Sequence, residues 1–205
     1  MKIEYIMSDM DNVLVNITAA KYTWLKTLSE YKNLKWENLT DVLIEDEGGY
    51  DLPPNLLREF NKSPHRFGSR PPFPGVKEVL EKFYADGLKL FTMTATGDAK
   101  TKRVYTRNLF GDLVKFEHVP YDGGDKSNGI KSIADKYNLD ISKTLFIDDL
   151  FKFIRQALTV PGLRVIRMQP EFYVPLPADL AGKVPVVKDM NEFYDYVSQI
   201  NRKYK

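Results

Sequence analysis

Ile3 to Met7 is a short segment, rich in β-branched and aromatic residues, that runs straight into Asp9-Met10-Asp11. Such a segment predicts a buried strand ending in a polar turn. Apolar positions then recur at helical spacing from Thr18 to Tyr31, where Tyr22, Leu25 and Leu28 share a face and Thr18 is a candidate N-cap. From Asn33 to Pro74 the periodicity fragments. Two short helical patterns, Trp36–Ile44 and Pro54–Phe60, are separated by Glu47-Gly48-Gly49 and followed by Arg70-Pro71-Pro72-Phe73-Pro74. That punctuation predicts a small helical insertion that leaves the main body and returns to it.

Beyond Pro74 the pattern becomes regular. Helices are predicted over 75–85, 98–110, 128–137, 150–158 and 191–202, and strands over 88–93, 114–119, 144–147 and 164–168, with Val184–Val187 preceding the last helix. Strands alternating with helices imply βαβ units. The expected fold is α/β, a doubly wound, mostly parallel Rossmann-like sheet with helices on both faces.

Composition narrows the chemistry. The 205 residues are 43% hydrophobic and 28% charged, a globular balance. Thirty basic against 28 acidic side chains leave a formal charge of +2, which gives no reason to expect nucleic acid or a membrane surface as partner. The absence of cysteine rules out disulfides, thiolate nucleophiles and cysteine-held metals, and two histidines make a His-rich metal site improbable. No signal peptide or membrane-spanning run is read, so the expected location is cytoplasmic. Any catalysis must rest on carboxylates, hydroxyls and lysines.

In a doubly wound sheet, ligands bind beyond the carboxyl ends of the strands. Asp9 and Asp11 follow the first strand. Thr94, then Ala95-Thr96-Gly97, follows the strand that ends near Met93, and Asp148-Asp149 follow Thr144–Ile147. Four carboxylates and a hydroxyl thus converge on one edge. Like charges crowd there only if something positive sits among them, and Mg²⁺ with oxygen ligands is the usual solution where phosphate is handled. His65 and His118 read as structural or surface residues, Lys100 to Arg107 as a solvated basic helix face, and Glu171-Phe172-Tyr173 as an anchored loop.

These residues resemble the haloacid dehalogenase-like phosphohydrolase superfamily over nearly the whole chain. Asp9-Met10-Asp11-Asn12-Val13-Leu14 looks like its D-x-D-x-[TV]-[LV] turn, Leu88 to Thr94 like its hydroxyl-tipped strand, Lys126 within Gly124-Asp125-Lys126-Ser127 like its lysine, and Leu145 to Asp149 like its acidic pair. Asn12 stands where glycine is commoner, and Phe153 where one variant of the family carries a further acid. The resemblance implies a Mg²⁺-dependent phosphatase. Asp9 would be the nucleophile and Asp11 the acid–base group. Thr94 and Lys126 would bind phosphate, and Asp9, Asp11, Asp148 and Asp149 would hold the metal, with Asp149 preferred over Asp148 as direct ligand.

The span from Thr94 to Lys126 is too short for an inserted domain. The expected division is therefore a core of residues 1–15 and 74–205 and a cap of residues 16–73, joined on its second side through Phe67-Gly68-Ser69-Arg70. Arg70 to Gly75 and Asp9-Met10-Asp11 bear a looser resemblance to the 5'(3')-deoxyribonucleotidase branch. The expected substrate is a small phosphomonoester, plausibly a nucleoside monophosphate, with Tyr22, Trp24 or Tyr50 available to stack on a base and Arg66 or Arg70 to meet an oxygen. Two alternatives use related chemistry: a nucleic-acid end-processing 3'-phosphatase, and a receiver-like phosphoacceptor module, whose motif order differs.

Overall fold

The computed structural model describes residues 1–46, 48–68, 70–95, 98–119, 124–169, 172 and 174–204. Glu47, Ser69, Thr96, Gly97, Glu171 and Tyr173, named above, lie outside the described residues, as do the side chains of Phe67 and Ala95. Six strands form the main sheet: β1 (Tyr5–Ser8), β4 (Lys89–Ala95), β5 (Lys115–Val119), β6 (Thr144–Asp148), β7 (Arg164–Met168) and β8 (Val186–Val187). Their order is β5-β4-β1-β6-β7-β8, and every neighbouring pair is parallel. The chain runs outward through β4 and β5 and then crosses back to β6, so β1 sits at the reversal of strand order, where a crevice opens.

Side chains of adjacent residues leave opposite faces of a strand, and both faces here are apolar. Ile6, Leu90 and Leu145 pack with α4 (Val76–Ala85) and α8 (Met190–Arg202) through Val79, Phe83, Phe193 and Val197. Met7, Phe91 and Phe146 pack on the other side with α6 (Lys126–Tyr137) and α7 (Phe151–Leu158) through Ile130, Ile133, Ile154 and Ala157. The remaining core helix is α5 (Ala99–Phe110), which follows β4. In register, Ser8 lies opposite Thr92 on one side and Ile147 on the other, so Asp9, Thr94 and Asp148 emerge at one edge.

Residues 16–73 carry a hydrophobic cluster of their own, built from Ala20, Trp24, Leu25, Leu39, Leu43, Leu52, Leu56 and Phe60. It contains α1 (Ile17–Leu25), α2 (Pro54–Lys62) and the short α3 (His65–Gly68). The two crossings to the sheet are tied together, with Val15 bridging Pro72 and the Asn16 amide donating to Pro71 at 2.9 Å.

The segment is less helical than its pattern suggested. The helix expected to reach Tyr31 stops at Leu25, because Thr27 Oγ1 takes the Trp24 carbonyl at 2.7 Å; only a 3₁₀ turn at Ser29–Tyr31 remains. The pattern at Trp36–Ile44 is a 3₁₀ turn over Trp36–Asp41. Ile44 instead begins a hairpin of β2 (Ile44–Asp46) and β3 (Gly49–Asp51). Gly48 in its turn has φ +92°, and a Cβ there would lie 2.4 Å from the Phe151 ring, so the turn seats flush on α7.

Candidate active site

Asp9 leaves the end of β1 with its amide bonded to Ile147 of β6, which fixes the backbone of the following turn. Asn12 in that turn has φ +57°, a left-handed conformation that asparagine tolerates better than most residues with a side chain. The position's departure from glycine is thereby reconciled with the turn it must make. Lys126 opens α6, capped by Asp125, and is fully buried. Its Nζ lies 2.5 Å from Asp9 Oδ1 and 2.5 Å from Asp148 Oδ2. It also stands 4.1 Å from the centroid of the Phe153 ring, so the residue that replaces an acid supplies a π face to the ammonium.

The charges here are not balanced by the protein alone. Burial, with the neighbouring Asp9 charge, pushes the Asp148 carboxyl up to about 6, against the pull of Lys126 and the Leu150 amide. Asp149 is raised well above the ordinary carboxylate range by burial and then by Asp148 and Asp9. Burial opposes the charge on Lys126, but Asp148 and Asp9 outweigh it and raise its pKa.

Asp11 sits in the opposite situation. Arg70 Nη1 meets its Oδ1 at 2.7 Å and Lys102 Nζ its Oδ2 at 2.6 Å. Burial works against this carboxylate, yet Lys102 and Arg70 overcome it and hold the group well below its usual pKa. Lys102 Nζ also lies 2.5 Å from Thr94 Oγ1 at the end of β4. The Tyr105 hydroxyl donates to the Arg70 carbonyl, and burial pushes that phenol up to about 12.

Asp9, Asp11, Thr94, Lys126 and Asp149 line one cleft of about 280 Å³, whose far wall is Ile17, Lys21, Asp46, Tyr50 and Asp51 from the inserted segment. Asp148 joins them through Lys126. All six residues singled out from the sequence are thus brought together. A larger cavity of about 420 Å³, bordered by Asn12, Phe73, Met168 and Asp189, holds none of the four carboxylates.

Two buried lysines of the site, Lys102 and Lys21, have no role in the sequence reading, and Arg70 has a partner that the sequence does not show. The sequence pattern puts Lys102 on a solvated face, but it is buried on a stripe with Thr106 and Phe110, whereas Lys100, Arg103 and Arg107 are exposed. That i, i+4, i+8 spacing was the available signal. Lys21 is buried and paired with Asp51 at 2.8 Å. Arg70, expected to meet a substrate oxygen, places its Nη1 on Asp11. Of the three aromatic residues considered for stacking, only Tyr50 reaches the cleft. Trp24 packs edge-on to Phe60, and Tyr22 packs on Trp36 while donating to the Leu34 carbonyl. His118 is exposed on β5, and His65 opens α3.

No family model matches the sequence, and no curated protein is similar to it in sequence. The three-dimensional comparison is decisive for the fold. A candidate phosphoglycolate phosphatase from Lactobacillus delbrueckii subsp. bulgaricus superposes with a TM-score of 0.69 at 15% identity, covering 96% of this chain and 99% of that one. The chain has the haloacid dehalogenase-like fold. A haloacid dehalogenase-like hydrolase from Streptococcus pneumoniae gives 0.64 at 16% identity, with 95% and 98% covered. A dehalogenase solved as an intermediate complex gives 0.68 at 10% identity, with 95% and 97% covered.

Among the described residues no three carboxylates or histidines are grouped to hold a metal by side chains alone, and no helix is long and apolar enough to cross a membrane. A small divalent cation does not need three. It takes one or two carboxylates and completes its shell with water and substrate oxygens. Asp9 and Asp149 both face the cleft, and the donor set is entirely oxygen. Burial, and after it the neighbouring carboxylates, raise Asp148 and Asp149, and a cation there would favour their ionised forms. The residues fit such an ion.

Proposed function

We propose that this protein is a Mg²⁺-dependent phosphatase that hydrolyses a small phosphomonoester through an aspartyl-phosphate at Asp9. The observation that carries the reading is Lys126 between Asp9 and Asp148, because it leaves a carboxylate nucleophile beside a buried cation at the switch of strand order. The division into a core (residues 1–15 and 74–205) and a cap (residues 16–73) belongs to the same reading, with the cleft between them as the reaction chamber.

In this mechanism Mg²⁺, held by Asp9 and Asp149 with Asp148 supporting, would supply positive charge to the phosphoryl oxygens. An Asp9 carboxylate oxygen attacks phosphorus and the bond to the leaving oxygen breaks, which divides a slow hydrolysis into two displacements. Lys126 lowers the repulsion between carboxylate and phosphate. In the second step water attacks the aspartyl-phosphate, gives its proton to Asp11, and inorganic phosphate leaves. Arg70 and Lys102 favour ionised Asp11, the form this step requires. For the first step Asp11 must carry a proton, so good leaving groups are expected to react with less dependence on it.

Asp149 is preferred as the direct ligand because it lines the cleft, whereas Asp148 is engaged by Lys126 and the Leu150 amide. A nucleoside monophosphate is the substrate carried forward, with Tyr50 as its stacking surface. A cleft of about 280 Å³ walled by Asp46 and Asp51 favours a small substrate over a nucleic-acid end. Phosphate release from an aryl phosphate, with Mg²⁺ and with chelator, tests the reading. Activity undiminished in excess chelator would remove the metal from it, and no release at all would remove the hydrolysis. A panel of nucleotides, sugar phosphates and 3'-phosphorylated oligonucleotides then ranks substrates.

A further inference from the structure

Lys102 is 2% exposed and pays the desolvation cost of a buried ammonium. Its Nζ touches two groups from different strand ends, Asp11 Oδ2 at 2.6 Å and Thr94 Oγ1 at 2.5 Å. Beyond favouring the ionised form of Asp11, Lys102 takes no proton and makes no bond in the hydrolysis. Its contact with Thr94 nevertheless has a definite polarity. A protonated lysine carries three donors and no acceptor, so in this contact the threonine oxygen can only accept. The single Thr94 proton is therefore turned away from Lys102. Among the described residues the Thr94 hydroxyl makes no other hydrogen bond, and Thr94 lines the cleft beside Asp9. α5 holds the ammonium in place: Thr106 Oγ1 bonds the Lys102 carbonyl at 2.8 Å and sits 3.1 Å from Met10 Sδ in the catalytic turn.

We propose that Lys102 is a positioning residue that fixes Thr94 as a hydrogen-bond donor toward a bound phosphoryl group. This rests on the phosphatase reading. Without the lysine, the Thr94 hydroxyl is free to accept from water or to turn its proton elsewhere, and the phosphoryl oxygen loses an oriented donor. Lys102 also adds positive charge, with Lys126, Arg70 and Lys21, where Asp9, Asp11, Asp148 and Asp149 gather, so its removal leaves the site more repulsive to an anion.

The test is a double-mutant cycle of Lys102→Met and Thr94→Val. It is read by kcat and KM on an activated aryl phosphate, whose good leaving group makes the Asp11 proton dispensable. A second reading is the binding of inorganic phosphate, by calorimetry in Mg²⁺. Each single variant is expected to lose about tenfold in kcat/KM, equivalent to about 1.4 kcal/mol, and to bind phosphate correspondingly more weakly. The double variant is expected to lose no more than about threefold beyond either single one. Full additivity, or a folded Lys102→Met with unchanged kinetics and phosphate binding, overturns the proposal. Should Lys102→Met not fold, Lys102→Arg, which keeps the charge and the donors but not the reach, goes through the same cycle with the same criteria. A wild type that binds phosphate through a non-additive Lys102–Thr94 pair but releases none from the aryl ester supports this inference and defeats the hydrolytic reading alone. A wild type that binds no phosphate defeats both.

Discussion

Arg167 on β7 donates from Nη2 to the carbonyl of Gly48, in the hairpin turn of the inserted segment, at 2.8 Å. The same guanidinium donates to the Val174 carbonyl at 2.6 Å and the Asp149 carbonyl at 3.3 Å, and stands 4.3 Å from the centroid of the Phe151 ring. One fully buried side chain therefore ties the insertion to the loop that carries the acidic pair. Arginine suits the task because its donors are spread over a rigid plane.

Arg167→Met keeps much of the stem and removes every donor, leaving three carbonyls to be satisfied otherwise. Unsatisfied buried groups cost about 1–3 kcal/mol each. The expected loss is about 2 kcal/mol or more, read as a fall in Tm of at least about 4 °C for a chain of this size. An unchanged melting curve would mean that the hairpin is held by its apolar contact with Phe151 and not by Arg167.

Asp9→Asn is expected to leave the fold intact, since Lys126 retains Asp148 as partner, and to abolish the nucleophile. Turnover of an aryl phosphate should fall below about a hundredth of wild type, a level that general acid–base effects alone could sustain. A higher residual rate in a folded variant would exclude a covalent step at this residue.

Metal and protons are expected to compete at the acidic pair. The Asp148 carboxyl is raised from 3.8 to about 6 in the folded chain, so between these values the folded state binds more protons than the unfolded state. By linkage, this group's contribution to metal-free stability falls as pH rises from about 4 to about 6. Mg²⁺ held by the acidic pair would favour the ionised form and reverse the penalty. The Tm increase caused by a fixed Mg²⁺ concentration should accordingly be larger at pH 7.5 than at pH 5. Equal increases at both would place the ion away from Asp148 and Asp149.

Of Tyr22, Trp24 and Tyr50, Tyr50 is the one that lines the cleft and could stack on a base. Tyr50→Ala should raise KM for a nucleoside monophosphate about fivefold, the scale of a base–aromatic contact worth about 1 kcal/mol, while a sugar phosphate keeps its KM. Equal losses on both substrates would show that Tyr50 shapes the cleft without reading a base.

The sequence by itself determined the sheet and the positions of its reactive edge. β1, β4 and β6 are largely apolar because both faces of a parallel sheet are buried, and a polar residue, Asp9, Thr94 or Asp148, stands at or beside the end of each. α4 and α8 were legible for a related reason: each buries one stripe, and the stripe repeats at the helical period. Tertiary structure decided the rest. The hairpin of β2 and β3 has no alternation to read, since Ile44, Glu45 and Asp46 are all exposed and its turn is shaped by Phe151, a hundred positions downstream. Lys102 and Arg167 look like ordinary surface cations until the fold brings Thr94, Asp11, Gly48 and Asp149 against them. A periodic pattern records which face of an element is buried. It does not record which polar group from a distant element arrives to meet a buried charge, and in this protein those arrivals set the electrostatics of the site.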